Sequence, residues 1–269
     1  MPTERGEIIM NTEKGIFMQI SWLCNGKLKQ LLQRCGYIVH QYTPFNSFEL
    51  QRQRLLEFYG IGQVVDGGAN IGQYAETLRE HGYRGSILSI EPNPEAFRHL
   101  SARAAKTSGW RVYQAAVGEA AGEAILNVTA NSFSSSLLVP RVLPFNVEAG
   151  VVVVRQESVS IEPLDQILDR FDQGQREILL KLDIQGTEAA ALRGASRWLD
   201  RIAMIELELS LMSLYEGEAP RFQEMIKLVA DLGFDLLAIH PNTVDPRTGV
   251  SFEVNVIAGR SRTKQELTS

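Results

Sequence analysis

Gln63–Leu78, QVVDGGANIGQYAETL, is the stretch that most constrains what this 269-residue chain can fold into. An apolar run ends on a carboxylate, Asp66, glycines stand at 67, 68 and 72, and a helical pattern follows. A short strand, a flexible turn and a helix make the first half of a βαβ unit, which needs a parallel sheet with helices packed on it. The same rhythm continues: GSILSIE reads as a strand, NPEAFRHLSARAAKT as a helix with Pro94 in its first turn, and WRVYQAAV as a third strand. Residues 118–162 break it. GEAILNVT, SSSLLV and VVVVRQESVSIEP read as strands or hairpins with no helix between them.

Alternation then resumes with the helix PLDQILDRF, the strand EILLKLDIQ, the helix TEAAALRGASRWL, the strand IAMIELEL and the helix APRFQEMIKLVADLG. FDLLAIH and SFEVNVIAG follow with only a turn-rich link, which makes an antiparallel hairpin near the sheet edge. The expected fold is therefore α/β, a doubly wound, mostly parallel sheet with one reversed strand near its edge. The domain covers residues 61–269 with a β-rich insertion at about 118–162. Residues 1–60 read as a helical extension: a first helix over about Phe17–Arg34, a short extended YIVHQY, and a second helix in SFELQRQRLLEFYG. Such an extension would serve as a lid or as a contact in a homo-oligomer.

Ligands of such sheets sit beyond the carboxyl ends of the strands. A dinucleotide fingerprint needs glycines at i, i+2 and i+5, and here position 69 is alanine. The acid before the turn would also repel a pyrophosphate and suits a cationic ligand. S-adenosylmethionine meets that demand. In this reading Asp66 serves the ammonium directly or through water, while Gly67, Gly68, Ala69, Asn70 and Gly72 let the backbone come close. Glu91, in SIEPNP with Pro92 and Asn93, ends the next strand and can accept ribose hydroxyls. Ala115, Ala116 and Val117 flank the adenine.

The segments VVDGGANIGQYA, SIEPNPEAF, AAVG, PLDQIL and LLKLDIQGTEAAALRGA, in order between about Leu55 and Ile257, resemble the FkbM-type S-adenosylmethionine-dependent methyltransferases. KLDIQGTE is similar to that family's Lys-Ile-Asp-(Val/Ile)-(Glu/Gln)-Gly-x-Glu signature. The resemblance implies the Rossmann-like class I methyltransferase fold with a seven-stranded sheet. It also implies methylation of hydroxyls on sugars, glycolipids or polyketide-type natural products, with S-adenosylhomocysteine as the second product.

A hydroxyl must lose its proton as it takes a methyl group in line. Period two puts Lys181, Asp183 and Gln185 on one face of the strand and its exit, so Asp183 is the candidate base or hydroxyl anchor. Glu188 falls in the first turn of the next helix, equally suited to the site and to the helix dipole. Glu206 and Glu208 end an apolar strand, and Glu206 could position the acceptor or share a divalent cation with Asp183. The adjacent pair of acids usual in such metal sites is missing, so a divalent metal stays open without being predicted. His240 closes the sixth strand as a further candidate base. Ser132, Ser134, Ser135 and Ser136 could meet the acceptor or only satisfy a loop.

A net charge of −5 and a sequence pI of about 5.5 speak against a nucleic-acid partner, and DIQG replaces the Asn/Asp-Pro-Pro-aromatic motif of amine-directed nucleic-acid methyltransferases. A scaffold that kept the fold but lost catalysis is the alternative from another class. Cys24 and Cys35 form no disulfide framework or metal quartet. With no signal peptide and no apolar stretch long enough to span a bilayer, the expected location is cytoplasmic.

Overall fold

The computed structural model describes residues 46–261 apart from 142, 144–149, 173, 175–176 and 218, and before them 6–8, 18–20, 30, 32–35 and 43–44. The chain divides into Met1–Leu55 and Leu56–Ser269. In the first unit, β1 (Gly6–Ile8) pairs antiparallel with β2 (Met18–Ile20). The helix expected from Phe17 is therefore corrected at 18–20: Met-Gln-Ile alternates with period two and pairs with Gly-Glu-Ile, while 30 and 32–34 are helical. YIVHQY and Cys24 lie outside the described residues. Helix α1 (Phe48–Phe58) forms within the expected second helix.

The second unit is built on a seven-stranded sheet. Its strands are β3 (Gln63–Gly67), β4 (Ser86–Ile90), β5 (Trp110–Tyr113), β9 (Ile178–Leu182), β10 (Ile202–Ser210), β11 (Phe234–Val244) and β12 (Ser251–Arg260), in the order β11-β12-β10-β9-β3-β4-β5. Only β12 runs against its neighbours, as the hairpin reading requires. Between them lie α2 (Gln73–Glu80), α3 (Pro94–Ala104), α4 (Leu164–Phe171), α5 (Glu188–Arg193) and α6 (Phe222–Asp231). Helix α3 starts where it does because Asn93 caps it, accepting a hydrogen bond from the Glu95 amide, with Pro94 in the first position.

The central strands are largely apolar, as parallel strands buried on both faces are: Val64, Ile87 and Leu179 are fully buried on one face and Val65, Leu88 and Leu180 on the other. Val65, Leu88, Leu180 and Ile205 form one row across the sheet and pack with Leu164, Leu168 and Leu192 in the main core. One residue further along, the pleat turns Ser89, Asp66, Lys181 and Glu206 to the opposite side in a polar row.

The insertion forms its own three-stranded sheet, β6 (Ala116–Gly118), β8 (Val153–Pro163) and β7 (Gly122–Thr129), with β8 in the middle. WRVYQAAV is thus two strands in two sheets, broken at Gln114–Ala115. SSSLLV contributes only a bridge from Ser136 to Asn127, after a 3-10 turn at Ser132–Ser134. Strand β11 also outruns its expected end at His240 and continues through Pro241 to Val244. Proline is tolerated there because β11 lies at the sheet edge, where one side of the backbone has no ladder partner. No helix among the described residues is long and apolar enough to cross a membrane.

Candidate active site

The carboxyl ends of β3, β4 and β9 converge on a cleft lined by Gly68, Asn70, Glu91, Pro92, Ala115–Val117 and Asp183. Gly68 brings the first turn against the exit of β9. It sits at φ 74°, and a Cβ there would lie 1.9 Å from the Asp183 carbonyl oxygen. Asn70, at φ 48°, donates its backbone N–H to Glu91 Oε2 at 2.7 Å, and the Asn93 N–H reaches Oε1 at 2.8 Å. Two backbone donors thus fix a carboxylate that is only 7% exposed, leaving further lone pairs toward the cleft. Burial pushes the Glu91 carboxyl up to about 7, against the lowering effect of those two amides.

A nucleoside fits this donor set: a buried carboxylate for two ribose hydroxyls, and small residues 115–117 for a flat base. A charged acceptor binds hydroxyl donors about twice as strongly as a neutral one. Affinity for S-adenosylhomocysteine should therefore rise about fivefold between pH 6 and pH 8, as Glu91 ionises. Glu91→Gln should flatten that rise, and Glu91→Ala should cost about 1.5–3 kcal/mol of binding; calorimetric titration reads all three.

Other members of the turn have different work. Asp66 is expected at the ligand, but the structure buries it completely: Lys181 Nζ stands 2.9 Å from Oδ1 and Ser89 Oγ donates to Oδ2 at 3.2 Å. Oδ1 has no aligned hydrogen-bond donor beyond that ion-pair contact. Asp66 acts on the turn through Lys181, whose Nζ also lies 3.3 Å from the Gly68 carbonyl. Burial would lower the Lys181 ammonium, but Asp66 and then Asp183 more than offset this and hold it above its ordinary value. That favours the charged ammonium over a free amine. Asp66→Asn would leave that cation without its full partner; we expect about 3 kcal/mol less stability in urea unfolding, partly restored by adding Lys181→Met.

Gly67 and Ala69 are buried behind the turn, and a Cβ on Gly72 would strike the Trp110 ring at 2.7 Å, so these three shape packing instead of lining the cleft. Asn93 contributes its backbone amide and its cap. Among the serines, Ser132 Oγ accepts from Asn70 Nδ2 at 3.3 Å, and Ser136 Oγ donates to the Gln185 carbonyl at 2.7 Å.

A second cavity, about 870 Å³, opens beyond β10 and is lined by Gln185, Glu188, Glu208, Leu211, Tyr215 and Glu253 among others. The two cavities meet at a carboxyl pair. Gln185 Nε2 donates to Asp183 Oδ1 at 2.8 Å and to Glu208 Oε2 at 2.5 Å. Asn242 Nδ2 donates to the other Glu208 oxygen. Glu208 is pushed well above the ordinary carboxyl range by burial, then by the charges of Asp183 and Glu253. Lys181 Nζ stands 3.7 Å from Asp183 Oδ2.

Glu206 lines neither cavity. It is 4% exposed, and the Tyr74 hydroxyl donates to it at 2.8 Å. Glu208, the first residue of β10 beyond the last β9 pairing, Leu182 with Leu207, lines the larger cavity instead. His240 lies inside β11, exposed and paired in register with Asn255, and lines neither cavity. Glu188 caps its own loop, accepting from the Ile184 and Gly186 amides at 3.1 Å each, and burial pushes it up to about 7. Gln185 is the donor in this cluster, while Tyr215 and Glu253 carried no sequence signal. Among the described residues no three His, Cys, Asp or Glu side chains converge as a metal set.

Comparisons with known proteins show the family. The family model described as Methyltransferase FkbM domain matches residues 66–236, more than half of the chain. A curated methyltransferase, sdnD of Sordaria araneosa, is 29% identical over 197 residues, covering 64% of this chain and 73% of its own length. The crystal structure of a methyltransferase FkbM from Methylobacillus flagellatus KT aligns at a TM-score of 0.45 and 18% identity, over 73% of this chain and 43% of that one, so this chain spans under half of its length. Aeropyrum pernix fibrillarin, crystallised with natively bound S-adenosyl-L-methionine, aligns at 0.44 and 14% identity over 94% of this chain and 82% of that one. The chain belongs to the FkbM methyltransferase domain family, an S-adenosylmethionine-dependent methyltransferase.

Proposed function

We propose that this enzyme methylates a hydroxyl of a small molecule, sugar or polyketide-type natural product. The observation that supports this reading is the junction of the two cavities: Asp183 lines the cofactor cleft, and its partners Gln185 and Glu208 line the larger one. The bound cofactor supplies an electrophilic methyl group. Glu91 and the 68–70 turn hold it, and the 870 Å³ cavity is of the size that takes a drug-sized molecule. Asp183 accepts the hydroxyl proton as the acceptor oxygen takes the methyl, and Glu208 holds the neighbouring proton that keeps two carboxyls side by side.

The cavity is lined by four glutamates, 188, 208, 224 and 253, against Arg141 and Arg221. That balance disfavours a polyanion and supports a small neutral acceptor over a nucleic acid. The test is a screen of polyols, sugars, phenols and macrolactones with methyl-labelled cofactor, with and without magnesium. An alkali-stable ether on a hydroxyl is the expected product; label found only on nitrogen, carbon or nucleic acid would overturn the proposal.

A further inference from the structure

Gln185 is the least comfortable residue of the site. It adopts φ 57°, one of two non-glycine residues with positive φ among those described, immediately before Gly186 at φ 104°. A left-handed conformation in a residue with a long side chain persists only where the surroundings over-determine it. Here they do. The Ser136 hydroxyl holds its carbonyl, and its side-chain amide is engaged at both ends.

The Tyr215 hydroxyl donates to Oε1, while Nε2 faces Asp183 Oδ1 at 2.8 Å and Glu208 Oε2 at 2.5 Å. Only one orientation of the amide works, because a carbonyl oxygen turned toward two carboxyl oxygens would be repelled. Tyr215 is held in its donating form: burial, then Glu253, Glu188, Glu208 and Asp183, all raise its phenol above the ordinary value.

We propose that Gln185 is the positioning residue of the site: its amide, aimed by the Tyr215 hydroxyl, clamps Asp183 and Glu208 together so that the pair shares one proton. An amide does this where neither ionic alternative can. A glutamate at 185 would add a third acid facing the pair, and a cation there would hold both carboxyls ionised and poor as bases. The groups facing the pair are Lys181 from β9, Glu188 from α5, Tyr215 from the loop after β10, Asn242 from β11, and Glu253 from β12, to which the Thr243 hydroxyl donates. Asn242 fixes the far oxygen of Glu208, so two amides grip that carboxyl from opposite sides.

This inference rests on reading the pair as the proton acceptor, yet the titrations that test the clamp itself need no acceptor. Carboxyl titrations of the full chain, by carbon-13 NMR with Glu208→Gln to identify the pair's signals, are compared in wild type, Gln185→Glu and Tyr215→Phe. Titration with S-adenosylhomocysteine checks each variant's fold. We expect the upper titration of the pair to move up by on the order of one pH unit in Gln185→Glu. Tyr215→Phe, which removes only one hydroxyl, should move it less and in the same direction, and cofactor affinity should stay within about twofold in both. Should Gln185→Glu fail to fold, Tyr215→Phe carries the test. Pair titrations unchanged in the folded variants would overturn the clamp. Shifted titrations beside an unshifted pH profile of methyl transfer would leave the clamp standing and remove the proton-acceptor reading instead.

Discussion

Gly68→Ala should destabilise the protein by about 4 kcal/mol or more and abolish binding of S-adenosylhomocysteine. Two costs combine. An L-residue at φ 74° pays about 1–2 kcal/mol for the left-handed backbone. The added methyl would also stand 1.9 Å from the Asp183 carbonyl oxygen and 2.9 Å from its carbon, both backbone atoms at the end of β9, so a strand exit has to move. Gly82→Ala separates the two costs: at φ 96° it meets nothing within 4 Å and should pay the backbone cost alone. Urea unfolding of the two variants, beside calorimetry, reads the difference. Equal stability of the two, with cofactor binding kept in Gly68→Ala, would mean that the turn does not press on the Asp183 loop.

That close approach explains why so much of the cofactor side was legible. A turn that must fit between two strand ends needs glycine, a buried parallel strand needs an apolar run, and both are local demands. QVVD, SILSI and ILLKL therefore declared their strands, and Glu91 declared itself by standing at a strand end. The acid at 66 was as visible, but its partner was not: Lys181 lies 115 positions later and meets it only through strand register. Charge at a strand end looks the same in a sequence whether it faces ligand or neighbour.

The acceptor side was less legible for a similar reason. Glu206 and Glu208 share a face by period two, and what separates them is where the neighbouring strand stops. Leu182 is the last β9 partner, so Glu206 is enclosed beside Tyr74 while Glu208 emerges beside Gln185. His240 looked like a strand end because proline follows it, yet an edge strand runs through proline. Asn242 and Glu253 reach the site only because the β11–β12 hairpin folds back beside β10, and they lie beyond the stretch that the family model matches.

Asp183→Asn gives the most direct measurement of the central claim, that one cleft holds the cofactor and the adjoining carboxyl pair takes the acceptor's proton. Asparagine keeps the shape and removes the base, which in positioned acid–base catalysis contributes about 10²–10⁴-fold. Two numbers from this variant decide the matter, the S-adenosylhomocysteine dissociation constant and the rate of methyl transfer to the best acceptor found by screening. The account predicts a dissociation constant within about threefold of wild type, because Glu91 and not Asp183 grips the nucleoside, together with a rate reduced at least about 100-fold. An unimpaired rate in Asp183→Asn, with cofactor binding intact, would contradict it.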